Sequence, residues 1–287
     1  MLHALSIDVE DWYNATLVLL FEKYVPPSDA VVKSTERLLN LLSDKQIRAT
    51  WFILGEVADA FPALIKRLAA AHQEIGVHGY YHHRVDSLKP KVFADELHRA
   101  KDGIEQAAGK RVLGFRAPAF SLSRQMTDYF EILKTAGFSY DSSVFPFRGS
   151  RYGDSTAPLA PFFINTPSGS ILEVPVSVMD FGWFRLPCCG GGYFRHFPLG
   201  YTRFALRHLE KRQRPAVFYL HPYEIETEYN TSYFEQYCGP QELKGVFKWK
   251  APQYRNRSQA IHKLHHILEH HKFSTMAEVF SVQSTIG

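Results

Sequence analysis

The sequence has few cysteines, no strong excess of either charge and no long apolar run. Three cysteines in 287 residues cannot form a disulfide scaffold, and their odd number is more typical of a reducing compartment. The 33 lysines and arginines nearly balance the 29 acidic residues, which argues against a disordered chain and against a nucleic-acid partner. The apolar run at residues 15–21 is far shorter than the roughly 20 residues of a transmembrane helix.

The first residues of the chain also lack the features of a secretory signal peptide. No basic cluster precedes the short apolar run at residues 2–7, and acidic residues follow it within the first dozen positions. We therefore expect a cytoplasmic protein without a transmembrane segment.

Eight apolar segments predict strands, at residues 2–7, 49–54, 74–77, 112–115, 138–140, 171–176, 216–220 and 273–276. Segments with helical apolar spacing lie between most of them, at residues 34–47, 62–72, 90–108, 125–136, 201–212 and 258–271. Strands that alternate with helices indicate parallel βα units, and continuous apolar runs indicate strands covered on both faces. The sequence thus predicts an α/β fold, a closed or nearly closed (β/α) barrel, in one domain over residues 1–287 with loop insertions near 145–171 and 183–198.

Polar side chains fall at the carboxyl ends of five predicted strands. They are Asp8, His78, Arg116, Asp141 and His221. Because parallel strands of a barrel end at one rim, where such folds carry their active sites, we expect these residues to converge.

His78 and His82 form a His-x3-His pair in a glycine-containing loop, and two imidazoles at this spacing can bind one divalent metal. Alone, such a pair is more often an ordinary polar loop. The acids in the segment Asp8-Val9-Glu10-Asp11 and the placement at the rim favour the metal, because a third, carboxylate ligand leaves a position open for water.

Six segments resemble, in order, the motifs of the NodB-homology polysaccharide deacetylases, which form carbohydrate esterase family 4. They are Ser-Ile-Asp-Val-Glu-Asp-Trp at 6–12, Thr-Trp-Phe at 50–52, His-Gly-Tyr-Tyr-His at 78–82, Gly-Phe-Arg-Ala-Pro at 114–118, Tyr-Asp-Ser-Ser at 140–143 and Tyr-Leu-His-Pro at 219–222. The segment Gly-Gly-Gly-Tyr-Phe-Arg at 190–195 resembles the cytoplasmic, exopolysaccharide-associated branch.

The resemblance implies a distorted, TIM-like barrel of seven or eight strands with one divalent metal, zinc first and nickel, cobalt, iron or manganese as alternatives. It implies that Asp8 is the general base, that Arg116 orients it and that His221 is the general acid. His78 and His82 correspond to metal ligands.

One position departs from the family pattern. The usual Asp-Asp pair places a metal carboxylate directly after the base, where this chain has Val9. We expect Glu10 to serve instead, with Asp11 as the alternative.

Three further residues are expected to contact the substrate. Asp141 corresponds to a motif that lines the family's groove, backbone N–H groups after Pro118 are placed to stabilise an oxyanion, and Trp12 follows the acid cluster and is suited to stack on a sugar ring.

These residues predict a metal-dependent N-deacetylase acting on an N-acetylated amino sugar, in a polysaccharide or in its nucleotide- or lipid-linked precursor. One alternative is a hydrolase of cyclic amides or imides, of the allantoinase kind, on the same fold. A further alternative is a sugar-binding protein without activity. The resemblance also makes a homo-oligomer plausible.

Overall fold

The computed structural model describes residues 1–149, 153–229 and 231–282. Its strands are β1 (Leu2–Val9), β2 (Thr50–Ile53), β3 (Glu74–Val77), β4 (Gly114–Phe115), β5 (Tyr140–Asp141), β6 (Phe162–Thr166), β7 (Gly169–Glu173), β8 (Val178–Asp180), β9 (Arg185–Pro187), β10 (Val217–Leu220) and β11 (Lys272–Ser274).

Its helices are α1 (Trp12–Phe21), α2 (Ala30–Asp44), α3 (Gly55–Ala60), α4 (Pro62–Ala70), α5 (Pro90–Ala108), α6 (Thr127–Thr135), α7 (Gly191–His196), α8 (Leu199–Lys211), α9 (Ser232–Tyr237), α10 (Pro240–Tyr254), α11 (Arg257–His270) and α12 (Met276–Val279). Short 3-10 turns lie at Val85–Ser87, Pro118–Phe120 and Pro222–Ile225. None of the helices in these ranges combines the length and the apolar character needed to cross a membrane.

The main sheet has the strand order β10-β1-β2-β3-β4-β5-β7-β6, and β11 pairs with the first residues of β1. All pairs are parallel except β6 with β7. The eight predicted strands are present as β1 to β5, β7, β10 and β11, which confirms the predicted α/β barrel. The segment between β7 and β10 closes the remaining gap, since the Tyr219 N–H donates to the Cys189 carbonyl and the Val217 N–H donates to Ser177 Oγ.

The core lies between the strands and the helices that cover them. Strands β2 and β10 are buried along their whole length, as their continuous apolar runs predict. Helix α5 buries the predicted face of Phe93, Leu97, Ala100 and Ile104. It ends where expected, because Gly109 adopts the left-handed conformation with φ of 66°.

Two predicted loop regions contain regular structure. Strand β6 lies within 145–171, of which residues 150–152 are outside the described part, and β9 and α7 lie within 183–198. The connections after β1 and β10 also contain the unexpected helices α1, α9 and α10. Helices α1 and α10 pack together beside the rim of the barrel and help to form the cavity described next.

Candidate active site

A cavity of about 520 Å³ opens at the carboxyl ends of the barrel strands. Its wall includes five residues predicted to carry the chemistry. They are Asp8 near the end of β1, Glu10 just after it, His78 and His82 after β3, and His221 after β10. The parallel strands therefore bring together residues that lie more than 200 positions apart in the sequence.

Glu10, His78 and His82 each offer one possible ligand atom, and these atoms lie within 4.8 Å of one another. The Nδ1 of His78 lies 2.8 Å from the Arg116 carbonyl oxygen and donates to it, which leaves Nε2 unprotonated for a metal. Burial lowers the pKa of His78 to about 4, so this ring is neutral near pH 7, as a ligand must be. Two imidazoles and a carboxylate form a donor set that fits a catalytic zinc ion.

The guanidinium of Arg116 holds the predicted base in place. Its Nη1 lies 2.8 Å from both Asp8 Oδ1 and Ser6 Oγ, and its other nitrogens contact the backbone oxygen and the hydroxyl of Ser142 at 3.1 and 2.9 Å. Arg116 is fully buried, with its guanidinium carbon 4.4 Å from the centre of the Phe52 ring. Such a charged hydrogen bond from a fixed partner restricts Asp8 to one orientation.

His221 lies between two carboxylates. Its Nε2 is 2.9 Å from Glu10 Oε1, and its Nδ1 is 3.2 Å from Glu224 Oε2. Burial alone would lower the pKa of His221, but the charges and hydrogen bonds of the two glutamates raise it well above its ordinary value. His221 is therefore protonated near neutral pH, as a general acid must be.

Glu224 is a site residue that the sequence motifs did not indicate. It lies three residues after His221, in the first turn of the 3-10 segment, and its carboxylate also accepts the His221 backbone N–H at 3.1 Å. This is the spacing of a capping box, a local signal that can be found in sequence.

The two candidates for the carboxylate ligand have different partners. Asp11 caps helix α1 and accepts the backbone N–H groups of Tyr13, Asn14 and Ser28 at 3.2, 3.3 and 2.6 Å. Glu10 instead contacts the histidines, with Oε2 2.9 Å from His82 Nε2. Burial would raise the pKa of Glu10, but His82 and His221 hold it well below its ordinary range.

The structure corrects the expectation that Asp141 contacts the substrate. Asp141 is fully buried outside the cavity wall, and its two oxygens accept hydrogen bonds from the hydroxyl and the backbone N–H of Ser143 at 2.7 and 3.1 Å. Pro118 itself is buried, whereas Ala119, whose backbone N–H follows it, lines the cavity, and the expected contact with an oxyanion stays a prediction.

Trp12 lines the cavity but is only 4% exposed. Its ring packs edge-on against neighbouring aromatic rings, among them those of Phe234 and Tyr254. This packing leaves little of the ring for stacking on a sugar.

A second group of possible metal ligands, His3, Glu210 and His271, lies near the start of β1, away from the cavity. The Nδ1 of His3 accepts the Ala216 N–H at 3.0 Å, so its Nε2 carries the proton and donates to Glu210 at 3.1 Å. The Nε2 of a neutral His3 in this tautomer has no lone pair for a metal.

Two family models match consecutive parts of the chain. The polysaccharide deacetylase model matches residues 14–140, and the model of a domain of unknown function, DUF3473, matches residues 142–281. The first of these two parts is therefore similar to polysaccharide deacetylases. The two matched parts share one sheet, because Tyr140 of β5 pairs with Leu172 of β7. His221 and Glu224 lie in the second part, so the site uses residues from both sides of the boundary.

Two relatives with known names each match somewhat more than a third of this chain. The peptidoglycan deacetylase-like protein FGM2 of Gibberella zeae is 36% identical over 110 residues, 38% of this chain and 32% of that protein. The peptidoglycan deacetylase of Helicobacter pylori is 33% identical over 108 residues, 38% of this chain and 36% of that protein. The matches thus span about a third of the length of these relatives.

Solved structures share the fold over nearly the whole chain. A Mycobacterium smegmatis protein, provisionally assigned as a polysaccharide deacetylase, superposes with a TM-score of 0.65 at 19% identity, covering 97% of this chain and 88% of that one. The Bc1960 peptidoglycan N-acetylglucosamine deacetylase gives a TM-score of 0.52 at 13% identity, covering 98% and 88%. At these identities the likeness establishes the shared fold.

Proposed function

We propose that this protein is a metal-dependent N-deacetylase that hydrolyses the acetamide of an N-acetylated amino sugar and releases acetate. The observation that carries the proposal is one cavity wall that holds a metal-ligand group, Glu10 with His78 and His82, beside an oriented carboxylate and a protonated imidazole. Both relatives have the word deacetylase in their names, which supports the same reaction.

Glu10, His78 and His82 would hold the metal, with zinc the first candidate. A divalent metal bound there would polarise the acetamide carbonyl and make water a stronger nucleophile. Asp8, fixed by Arg116, would accept the proton of the attacking water. His221, protonated between Glu10 and Glu224, would donate a proton to the departing nitrogen.

The substrate class is an amino sugar in a polymer or in a nucleotide- or lipid-linked precursor. The cytoplasmic location expected from the sequence, which would favour a precursor, stays a prediction. The same holds for a homo-oligomer.

The test combines elemental analysis of the purified protein with acetate release from a panel of N-acetylated sugars. We expect about one metal per chain, and we expect both the metal and activity to be lost in His78→Ala and Glu10→Ala. Activity should fall at least about 100-fold, because even removing an outer partner of a metal ligand costs 10- to 100-fold. His265→Ala, at an exposed histidine of α11, is the matched control and should retain both.

Other outcomes would favour the alternatives. Cyclic-amide hydrolysis that survives His78→Ala, without acetate release from any sugar, would indicate the allantoinase-like reaction. Binding of acetylated sugars without turnover, with metal supplied, would indicate a sugar-binding protein.

A further inference from the structure

Helix α1 forms one wall of the active-site cavity. Ala15, Val18, Leu19 and Glu22 line it, at the spacing of residues that share one face of a helix. Leu19 is 60% exposed, so most of its side chain is available for contact. The face is therefore apolar for most of its length and accessible from the cavity.

This wall is longer than an acetyl group requires. From Ala15 to Glu22 the helix axis advances about 10 Å at about 1.5 Å per residue. Glu10 of the metal-ligand group precedes this helix by two residues and lines the same cavity, so the wall extends outward from the reacting centre. An acetyl methyl group would cover only a small part of it.

Several polar groups along this part of the cavity are already bonded within the protein. Thr16 Oγ1 donates to the Trp12 carbonyl at 2.6 Å, and Arg84 makes two hydrogen bonds to Asp86. Both ring nitrogens of His83 lie within 2.8 Å of a side-chain oxygen. Because sugar hydroxyls need free polar partners, this part of the cavity suits an aliphatic group better than a further sugar unit.

We propose that the α1 wall binds an aliphatic chain of the substrate, so that the substrate class of this site is a lipid-modified amino sugar. The inference rests on the proposed function for the sugar and its amide. The aliphatic chain of the substrate has two possible sources, the aglycone of the sugar and a long N-acyl group, and the test separates them.

The first measurement needs no turnover. Calorimetry compares the binding of methyl and octyl glucoside, which lack an amide, below the micelle concentration of the octyl compound. Burying even two or three methylenes on the wall should make octyl glucoside bind at least about tenfold more tightly. The gain should disappear in Leu19→Asp and persist in Leu19→Met. Val92→Asp, at an exposed aliphatic residue of α5, is the matched control and should retain it.

The second measurement is kcat/KM for two substrate series. One keeps the N-acetyl group and lengthens the aglycone from methyl to octyl, and the other keeps the methyl glycoside and lengthens the N-acyl chain. A Leu19-dependent rise along the first series identifies a lipid aglycone, and a rise along the second identifies a fatty N-acyl group. Flat profiles in both series, or a rise that Leu19→Asp leaves intact, would overturn the inference.

The two measurements distinguish a wrong assignment of the α1 wall from a wrong assignment of the deacetylase activity. If the methyl N-acetyl sugar is hydrolysed but longer chains bring no gain, the deacetylase stands and the chain site does not. If octyl glucoside binds in a Leu19-dependent way and no amide in either series is hydrolysed, the chain site stands and the deacetylase does not.

Discussion

Glu10 Oε1 lies 2.9 Å from Nε2 of His221, so one carboxylate contacts both the metal-ligand histidine His82 and the predicted general acid. The two residues meet because β1 pairs with β10, in a register that places Ile7 beside Leu220. A charge change at either side chain therefore alters the protonation of the other.

The first prediction concerns the pH dependence set by Glu224. Glu224→Gln removes one of the two negative charges that raise the pKa of His221 against the effect of burial. His221 then loses its proton at lower pH, so we expect the alkaline limb of the kcat/KM profile to move to lower pH. On the acid side of that limb the rate should change less than about tenfold, because the acid itself remains.

Glu228→Gln, at an exposed residue a few positions further along, is the matched control and should leave the limb in place. An unchanged limb in Glu224→Gln would mean that this carboxylate does not govern the protonation of His221.

The second prediction concerns the buried contact between Arg116 and Asp8. Arg116→Met leaves the Asp8 carboxylate buried without its partner, and we expect the free energy of unfolding to fall by about 3–5 kcal/mol. Arg116→Lys retains the charge but cannot reach Asp8, Ser6 and Ser142 together, so kcat/KM should fall about 100-fold through misplacement of the base.

Urea denaturation and steady-state kinetics check these two variants. Arg111→Met, at an exposed arginine just before β4, should change the free energy of unfolding by less than about 0.5 kcal/mol. Full activity in Arg116→Lys would argue against a positioning role for Arg116.

The sequence predicted correctly those strands and helices whose ends are marked by their own residues. Strand β3 and helix α5 have the predicted bounds, since Pro90 and Gly109 mark the ends of a helix with clear apolar spacing. Helix α1 was missed because nearly all its residues are apolar and give no helical period. Helix α10 carries Pro252 near its end, which argues against a helix in sequence.

The sequence predicted those residues of the candidate site that lie at the carboxyl ends of strands. Asp8, His78 and His221 reach the cavity because parallel strands end at one rim. Asp141 also lies at a strand end but outside the cavity wall, and a strand of two residues has no alternation from which to read the direction of its side chain. Ser142 contacts Arg116 from another strand end, and no local pattern indicates such a partner.

The third prediction concerns Glu173, which is opposite Asp141 in the pairing of β5 with β7. Burial and the charge of Asp141 raise the pKa of Glu173 well above its ordinary value. A carboxyl group whose pKa is raised by folding stabilises the protein below its unfolded pKa, and this contribution is lost as the pH rises through the folded pKa. Glutamine cannot ionise. The free energy of unfolding of Glu173→Gln, relative to that of the wild type, should therefore increase by about 1–3 kcal/mol from pH 5 to pH 9.

Urea denaturation at pH 5, 7 and 9 measures this difference. Glu235→Gln, at an exposed glutamate of α9, should show no such trend. A difference for Glu173→Gln that does not vary with pH would show that Glu173 is ionised throughout this range.

The last prediction separates Glu10 from Asp11. Glu10→Gln should lose the metal and remain folded, because Glu10 meets histidines and makes no cap. Asp11→Asn retains an acceptor oxygen for the N-terminus of α1 and should keep the metal, whereas Asp11→Ala should lower the free energy of unfolding by about 1–2 kcal/mol. Elemental analysis and urea denaturation of the three variants give both readings. Metal lost in Asp11→Asn and kept in Glu10→Gln would make Asp11 the ligand, and α1 would then have to lose its cap whenever metal binds.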